Sequence, residues 1–313
     1  MSIAAIVIGR NEGARLIACL EALGGFDPVI YVDSGSTDGS VAAAQARGAQ
    51  VVTLDMSQPF TAARARNAGL SVLPEGIELV QLLDGDCVVQ AGWLAQALAF
   101  LDAHPQVAVV CGRRREIHPE VSPYNRLVDA EWDTPVGEAR ACGGDALMRV
   151  AALRAVGGYR DDLIAGEEPE LCLRLRRAGW RIWRLDAEMT AHDAQIMHFR
   201  QWWQRSKRAG HAFAEGADLH GAAPERHWVA ETRRALLWGL GVPVFVMLLV
   251  AALGGPGLLA LSVYPLQVLR LSRRMGLAAA FFSVLGKFAE AQGALAYFWR
   301  RFSGGQKRLI EYK

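Results

Sequence analysis

Two carboxylates one residue apart, Asp84-Gly85-Asp86, follow directly on the apolar run Leu79 to Leu83. Paired hard oxygen donors at the end of a strand suit Mg²⁺ or Mn²⁺, which bind carboxylates and keep open positions for phosphate oxygens. A metal held there would neutralise the charge that develops on a leaving diphosphate. The triplet alone says little, because acidic residues are common in strand-end turns. Its weight comes from other groups in the chain. Asp33 ends a short apolar run and opens Asp33-Ser34-Gly35-Ser36-Thr37-Asp38-Gly39-Ser40. Thr37 or Asp38 can cap the following helix. Asp33 is placed instead to accept a hydrogen bond from a base N–H or a ribose hydroxyl. Glu167-Glu168-Pro169-Glu170 precedes an amphipathic stretch, with Pro169 suited to the first helical position and Gly179 to the end. Acidic residues favour a helix N-terminus, but three exceed what one dipole requires, and Glu168 falls at the helix mouth. Asp145, after Gly143-Gly144, either accepts hydrogen bonds from sugar hydroxyls or closes an ordinary turn. His192 offers a neutral imidazole that would complete a metal shell with Asp86, and His198 is its rival. Arg205 and Arg208, three apart on one helix face, would bind a diphosphate. Alternatively, with Trp202 and Trp203, they form a basic aromatic membrane-interface belt.

The elements that must position these residues follow from periodicity. Ile3–Ile8, Val29–Val32, Val51–Leu54, Leu79–Leu83 and Val107–Cys111 read as buried strands. Glu12–Leu23, Thr37–Arg47, Ala62–Leu70 and Trp93–Leu101 read as helices between them. This alternation predicts an α/β fold with a mostly parallel central sheet and helices on both faces. In such folds ligands gather at the carboxyl ends of strands, which is where the acidic clusters lie. From about Arg113 to Trp183 the pattern loosens.

Four blocks together are specific. Ile6-Val7-Ile8-Gly9-Arg10-Asn11-Glu12, Val32 to Ser40, Ala63-Arg64-Ala65-Arg66-Asn67-Ala68-Gly69 and Leu83-Asp84-Gly85-Asp86 resemble, in order and spacing, the GT-A glycosyltransferases of family 2. The resemblance covers roughly residues 3–215. It implies an inverting enzyme that uses a nucleotide diphosphate sugar, most often a UDP-sugar, with Mn²⁺ or Mg²⁺. By position, Glu12 and Asp33 would contact the nucleoside and Arg66 would lie near the nucleotide. Asp84 would face the ribose or donor sugar, and Asp86 would ligate the metal. Glu168 would be the base that deprotonates the acceptor hydroxyl, with Glu167 the alternative. The family more often has Asp at this place, one methylene shorter.

Hydrophobic residues make up 52% of the 313 residues and charged residues 21%, an apolar balance that points toward a membrane segment. A net charge of +2 gives no global field for nucleic acid. The five cysteines include no C-x-x-C pair, which argues against zinc and a disulfide framework. Ala235 to Leu269 carries no charge, about 35 residues against the roughly 20 needed for one membrane helix. Gly254-Gly255-Pro256-Gly257 divides this run into a hairpin of about 235–253 and 258–271, the second arm short enough to be re-entrant. Arginines at both ends place them in the cytoplasm. The apolar N-terminus lacks the basic region and cleavage site of a signal peptide, so the catalytic part is expected at the cytoplasmic face of the membrane. The stretch from about 276 to 302 would lie in the interface or pack on the hairpin.

The expected organisation is thus a catalytic domain over 1–225 and a membrane-associated region over 226–313. The acceptor would be a lipid-linked or cell-surface glycan precursor, as in polysaccharide biosynthesis. A dinucleotide-binding oxidoreductase would need G-x-G-x-x-G after the first strand, which is missing. A sugar nucleotidyltransferase would need a glycine-rich basic loop there, and Arg10 is the one basic residue available. A non-catalytic membrane scaffold would not need the acids at 86 and 168.

Overall fold

The computed structural model describes residues 1–304, which divide into two compact units, Met1–Met197 and His198 onward. The first unit is built on a nine-stranded sheet. Its strands are β1 (Ile3–Gly9), β2 (Val29–Asp33), β3 (Gln50–Thr53), β4 (Leu79–Asp84), β5 (Cys87–Val89), β6 (Val107–Glu116), β7 (Gly137–Ala139), β8 (Ala146–Arg149) and β9 (Arg181–His192). Their order is β3-β2-β1-β4-β8-β6-β9-β5, with β7 beside β9. Helices α1 (Ala14–Glu21), α2 (Ser40–Ala46), α3 (Ala62–Ser71), α4 (Trp93–Ala103), α5 (Pro123–Trp132), α6 (Val150–Ala155) and α7 (Glu167–Arg177) connect them. Alternating side chains divide the core in two. Ala5, Val7 and Tyr31 meet Leu16, Cys19, Leu20 and Leu23 of α1 on one face. Ala4, Ile6, Ile8, Ile30 and Val32 meet α3, α4 and α7 residues on the other.

The sheet corrects one expectation. The ladders β1–β2, β2–β3, β1–β4 and β6–β9 are parallel, but β4–β8, β6–β8, β5–β9 and β7–β9 are antiparallel, so the sheet is mixed. The reason is β8. It returns from the weakly patterned region and inserts between β4 and β6, so the fifth apolar run does not extend the parallel series. The parallel half still does what its pattern implies. Register pairs Gly9 with Asp33 and Ile8 with Asp84, so β2, β1 and β4 end flush on one rim.

In the second unit, α8 (Phe199–His220) is followed by α9 (Val229–Leu236), a π-helical turn at Leu237–Gly241 and α10 (Val242–Leu253). Together Val229–Leu253 form a helix long and apolar enough to cross a membrane, with only 6% of its most apolar stretch buried. Among the described residues it is the one helix that meets this test. The expected second arm does not, because Gly255–Ser262 winds as a 3₁₀ segment and α11 (Val263–Met275) already carries Arg270, Arg273 and Arg274. A 3₁₀ segment of that length is itself unusual, and it starts where Gly254 takes φ 66°. The last helix, α12 (Leu277–Ser303), packs on α8. Trp202 meets Phe282 at 5.1 Å, His211 meets Tyr297 at 5.3 Å, and Tyr297 donates to Asp218 at 2.6 Å. The two helices cross where Gly210 faces the Glu290 backbone and Gly293 faces the Lys207 carbonyl. No Cβ fits in either place.

Gly293→Val forces that crossing apart and should cost about 3 kcal/mol, the upper end of ordinary overpacking. Thermal unfolding of the full chain in detergent should show a lowered Tm, and an unchanged Tm would mean that the crossing is loose.

Candidate active site

The rim of β2, β1 and β4 carries the first acidic groups. Asp33 is buried; it accepts from the Tyr31 hydroxyl at 3.1 Å and from the Gly35 and Ser36 amides at 3.0 Å. The adjacent loops are tied together: Asn11 accepts from the Thr37 amide at 2.7 Å, and its own amide donates to Ser36 Oγ at 2.9 Å. Glu12 pairs with Arg15 at 2.7 Å.

Asp84 and Asp86 separate because the chain leaves the sheet between them. β4 lies beside β1 and β8, whereas β5, starting at Cys87, pairs with β9. The Asp84-Gly85-Asp86 link therefore crosses the end of the sheet and delivers its two carboxylates to different neighbours.

On the β4 side is a buried ionic network. Arg66, from α3, is 2% exposed and touches three carboxylates: Asp84 at 2.9 Å, Glu167 at 3.2 Å and Glu168 at 2.7 Å. Its guanidinium also lies over the Tyr159 ring at 5.6 Å. Arg114 from β6 reaches Asp84 at 3.3 Å and Asp145 at 3.5 Å, and lies over Trp132 at 4.8 Å. Asp145 also accepts from the Thr190 hydroxyl at 2.7 Å and from the Asp84 amide at 3.3 Å. Gly144 lets the backbone approach this network, since a Cβ there would meet Arg66 Nη2 at 2.8 Å and Asp84 Oδ2 at 3.0 Å. Asn67, next to Arg66, fixes the segment that carries Tyr159. It donates to the Tyr159 carbonyl at 2.8 Å and accepts from the Tyr159 amide at 2.9 Å.

The charges are unequally satisfied. Burial disfavours ionised Asp84, but the Arg66 and Arg114 guanidiniums outweigh it and hold its carboxyl below the usual range. Burial also opposes both guanidinium charges, and the surrounding acids outweigh it and raise both. Glu168 differs. Burial and the adjacent Glu167 carboxylate push its carboxyl up to about 7, because Arg66, divided among three acids, does not offset them.

On the β9 side, Asp86 Oδ1 lies 3.3 Å from His192 Nε2, and both side chains are buried. His192 Nδ1 faces Glu116 Oε2 at 3.7 Å, and Trp132 packs edge-on at 4.7 Å. Glu116 is fixed by the amides of His118 at 3.1 Å and Ala194 at 2.9 Å. Burial raises it, but His192 and these amides hold it below its ordinary value. The donors fit a metal. Two ligands of one octahedral ion, bonded at about 2.1 Å, sit roughly 3 Å apart, and a carboxylate behind the far imidazole nitrogen, as Glu116 is here, is the usual way to orient a metal-binding histidine. Cys87 lies within the same group, but burial pushes its thiol far up, which disfavours the thiolate that a metal needs.

Thus Asp84, Asp86, Asp145, Arg66, Glu167, Glu168 and His192 converge, with Asp33 and Glu12 on the same rim. Arg205 and Arg208 belong to α8 of the second unit. His198, the rival histidine, caps that helix with Gln201. Helix α7 begins at Glu167, two residues before Pro169, which takes the third position. Proline is tolerated there because the first-turn amides lack helical partners. Glu170 turns away to a bidentate pair with Arg174 at 2.8–3.0 Å. Arg114, Glu116, Trp132 and Tyr159 escaped sequence reading. The available signal was Arg113-Arg114-Arg115 at the end of a strand, where alternation sends Arg114 inward and its neighbours to Asp129 and Glu188.

A mixed α/β sheet with acidic residues at the carboxyl ends of its leading strands and helices on both faces defines a GT-A-type transferase. The chain belongs to glycosyltransferase family 2. The family model "Glycosyl transferase family 2" matches residues 4–153. An uncharacterised glycosyltransferase of Mycobacterium bovis is 32% identical over 183 residues, covering 56% of this chain and 79% of that protein. The pre-mycofactocin glycosyltransferase of Mycobacterium tuberculosis is 29% identical over 225 residues, covering 67% of this chain. This chain spans about half of that relative's length, 46%. Among solved structures, a mannosyltransferase from Pyrobaculum calidifontis in complex with GDP-Man and Mn²⁺ superposes with TM-score 0.68, at 21% identity, covering 96% of this chain and 87% of that one. TarS of S. aureus gives 0.55 at 16% identity, covering 93% and 55%.

Arg66→Met leaves buried Glu167 and half-buried Glu168 without their shared cation, and Asp84 with Arg114 alone, and should destabilise the protein by about 3–5 kcal/mol. Protonating the acids relieves the fault, so denaturant titrations should show a larger loss at neutral than at mildly acidic pH. A pH-independent loss would assign it to packing alone.

Proposed function

We propose that the chain transfers a sugar, with inversion, from a nucleotide diphosphate sugar to an acceptor hydroxyl, with a UDP-sugar as the donor. The observation that carries this reading is the division of one acidic rim into two chemically different halves: Glu168, with its carboxyl pushed up to about 7, and the Asp86–His192–Glu116 series. Glu168, rather than Glu167, is the base. It takes the proton of the acceptor hydroxyl as that oxygen bonds to the anomeric carbon. The bond from that carbon to the diphosphate breaks on the opposite face, and its electron pair leaves with the nucleotide. Arg66 orients Glu168 and ties it to Asp84. Asp84 and Asp145 take donor-sugar or ribose hydroxyls, and Asp33 and Glu12 the nucleoside.

Asp86 and His192 would hold Mn²⁺ or Mg²⁺, which when bound would supply positive charge to the leaving diphosphate. Mn²⁺ accompanies the nucleotide sugar in the mannosyltransferase of the same fold, which favours it here. The helix Val229–Leu253 supports membrane attachment, and the arginines at positions 233, 234, 270, 273 and 274 support the cytoplasmic face. A site held at that surface suits a lipid-linked or glycan acceptor in cell-surface polysaccharide biosynthesis.

The base works only when deprotonated. In assays of nucleoside diphosphate release, kcat/KM should rise with pH through about 7 and level off above it. Glu168→Gln should remove this limb and lower kcat by about 100-fold or more. A Gln variant that kept full activity would move the role to Glu167 or away from this helix.

Glu116 acts one step back from the metal. Glu116→Gln should weaken Mn²⁺ binding about 10- to 100-fold, the usual cost of losing such a support. Calorimetric titration without donor checks this, and unaltered affinity would place the metal away from His192.

A further inference from the structure

The second unit contains a recess that the transfer reaction does not use. It has a volume of about 340 Å³ and is lined by Arg234, Trp238, Gln267, Leu271, Ser283, Val284 and Lys287. Two cations and polar Gln267 and Ser283 thus share one concavity with an apolar wall. Each cation is paired one helical turn away, Arg234 with Glu231 at 2.8 Å and Lys287 with Glu290 at 2.6 Å, but neither acid lines the recess. The recess is therefore lined by the cationic partner of each pair and is rich in donors.

Its level along the helices is fixed independently by two elements. Arg234 is the last charged residue before the uncharged run, and Leu271 follows Arg270, the first charged residue after it. Both ends of the apolar run thus meet at this recess, where hydrocarbon gives way to headgroups. Aromatic residues mark the same level. Tyr264 donates to the Trp238 carbonyl at 2.7 Å and packs against Phe288 at 5.4 Å. Tyr and Trp concentrate at this depth because their rings are apolar and their tips polar. Basic pockets between helices at a membrane's cytoplasmic side bind phosphate headgroups.

We propose that this recess binds the phosphodiester headgroup of an anionic membrane phospholipid. Arg234 and Lys287 pair with the phosphate, Ser283 and Gln267 hydrogen-bond its oxygens, and Leu271 and Val284 border the first part of the acyl chains. The proposal rests on the membrane reading of Val229–Leu253, and the experiment separates the two.

Full-length protein is floated with vesicles of phosphatidylcholine alone, then placed in bilayers that also contain phosphatidylglycerol. Lipid retained on the extracted protein is counted by native mass spectrometry. Flotation with phosphatidylcholine tests the membrane reading, and its failure would sink both. Given flotation, Arg234→Gln/Lys287→Gln should float as the parent does but retain about tenfold less phosphatidylglycerol. Arg273→Gln/Arg274→Gln removes the same charge outside the recess and should keep parental retention. Equal losses in both double variants, or none in the first, would overturn the proposal. So would displacement of the retained lipid by excess inorganic phosphate, which would mark the recess as a site for the free anion.

Discussion

One buried guanidinium serving three carboxylates is the constraint on which the site depends. Arg66 is almost wholly shielded from water and links α3 to the end of β4 and to the start of α7. A charge so placed is tolerated only if its partners lie close on every side. That requirement fixes the helix start at Glu167 against the strand end at Asp84. It also accounts for Gly144, where any side chain would occupy the space of the Arg66–Asp84 contact. The same sharing leaves Glu168 incompletely neutralised. A one-to-one ion pair would hold its carboxyl low and make it a poor base. Burial and the adjacent Glu167 carboxylate push its carboxyl up to about 7, and an Arg66 shared among three acids does not offset them.

The first 111 residues were largely legible in the sequence. Their strands are apolar runs, their helices amphipathic, and their turns carry glycine, so local preference and tertiary position agree. The acidic clusters could be placed on one rim because parallel strands end together, and the register of Gly9 with Asp33 and Ile8 with Asp84 shows that they do. Beyond residue 111 the reading weakened for a physical reason. β6 continues through Arg113-Arg114-Arg115 to Glu116, charges that look solvated in one dimension. Arg115 is indeed exposed, but the placement of Arg114 and Glu116 depends on partners far along the chain, such as Asp84, 30 residues before Arg114, and His192, which Glu116 reaches across the β6–β9 ladder. No local pattern encodes such pairs. The antiparallel insertion of β8 was hidden for the same reason, since Ala146–Arg149 is too short to announce its neighbours.

The C-terminal region shows the complementary case. Uncharged length alone predicted an apolar helix, and Val229–Leu253 supplies it. Length could not reveal that Gly255–Ser262 winds too tightly to serve as a second arm, nor that α12 would dock on α8 through glycines. Hydropathy measures what a segment avoids, whereas these outcomes depend on how closely two backbones can approach.

Charge balance across the acidic rim connects the proposed metal to the fold. Asp84, Asp86, Asp145, Glu116, Glu167 and Glu168 are gathered around two guanidiniums and one imidazole. The acids outnumber the cations before any donor arrives. A nucleotide diphosphate brings further negative charge, and entry into such a rim would be repelled unless a cation came with it. Both arginines are already held by carboxylates inside the network, so neither can turn to the diphosphate without leaving a buried acid unpaired. The imidazole beside Asp86 differs, because it can offer a lone pair to an incoming ion while Glu116 keeps its orientation. Where the chain crosses from β4 to β5, the fold therefore separates an acid neutralised by arginine from one set beside an imidazole, the pair to which the proposed metal would bind. That separation is the physical basis for assigning the two aspartates of one triplet to different tasks.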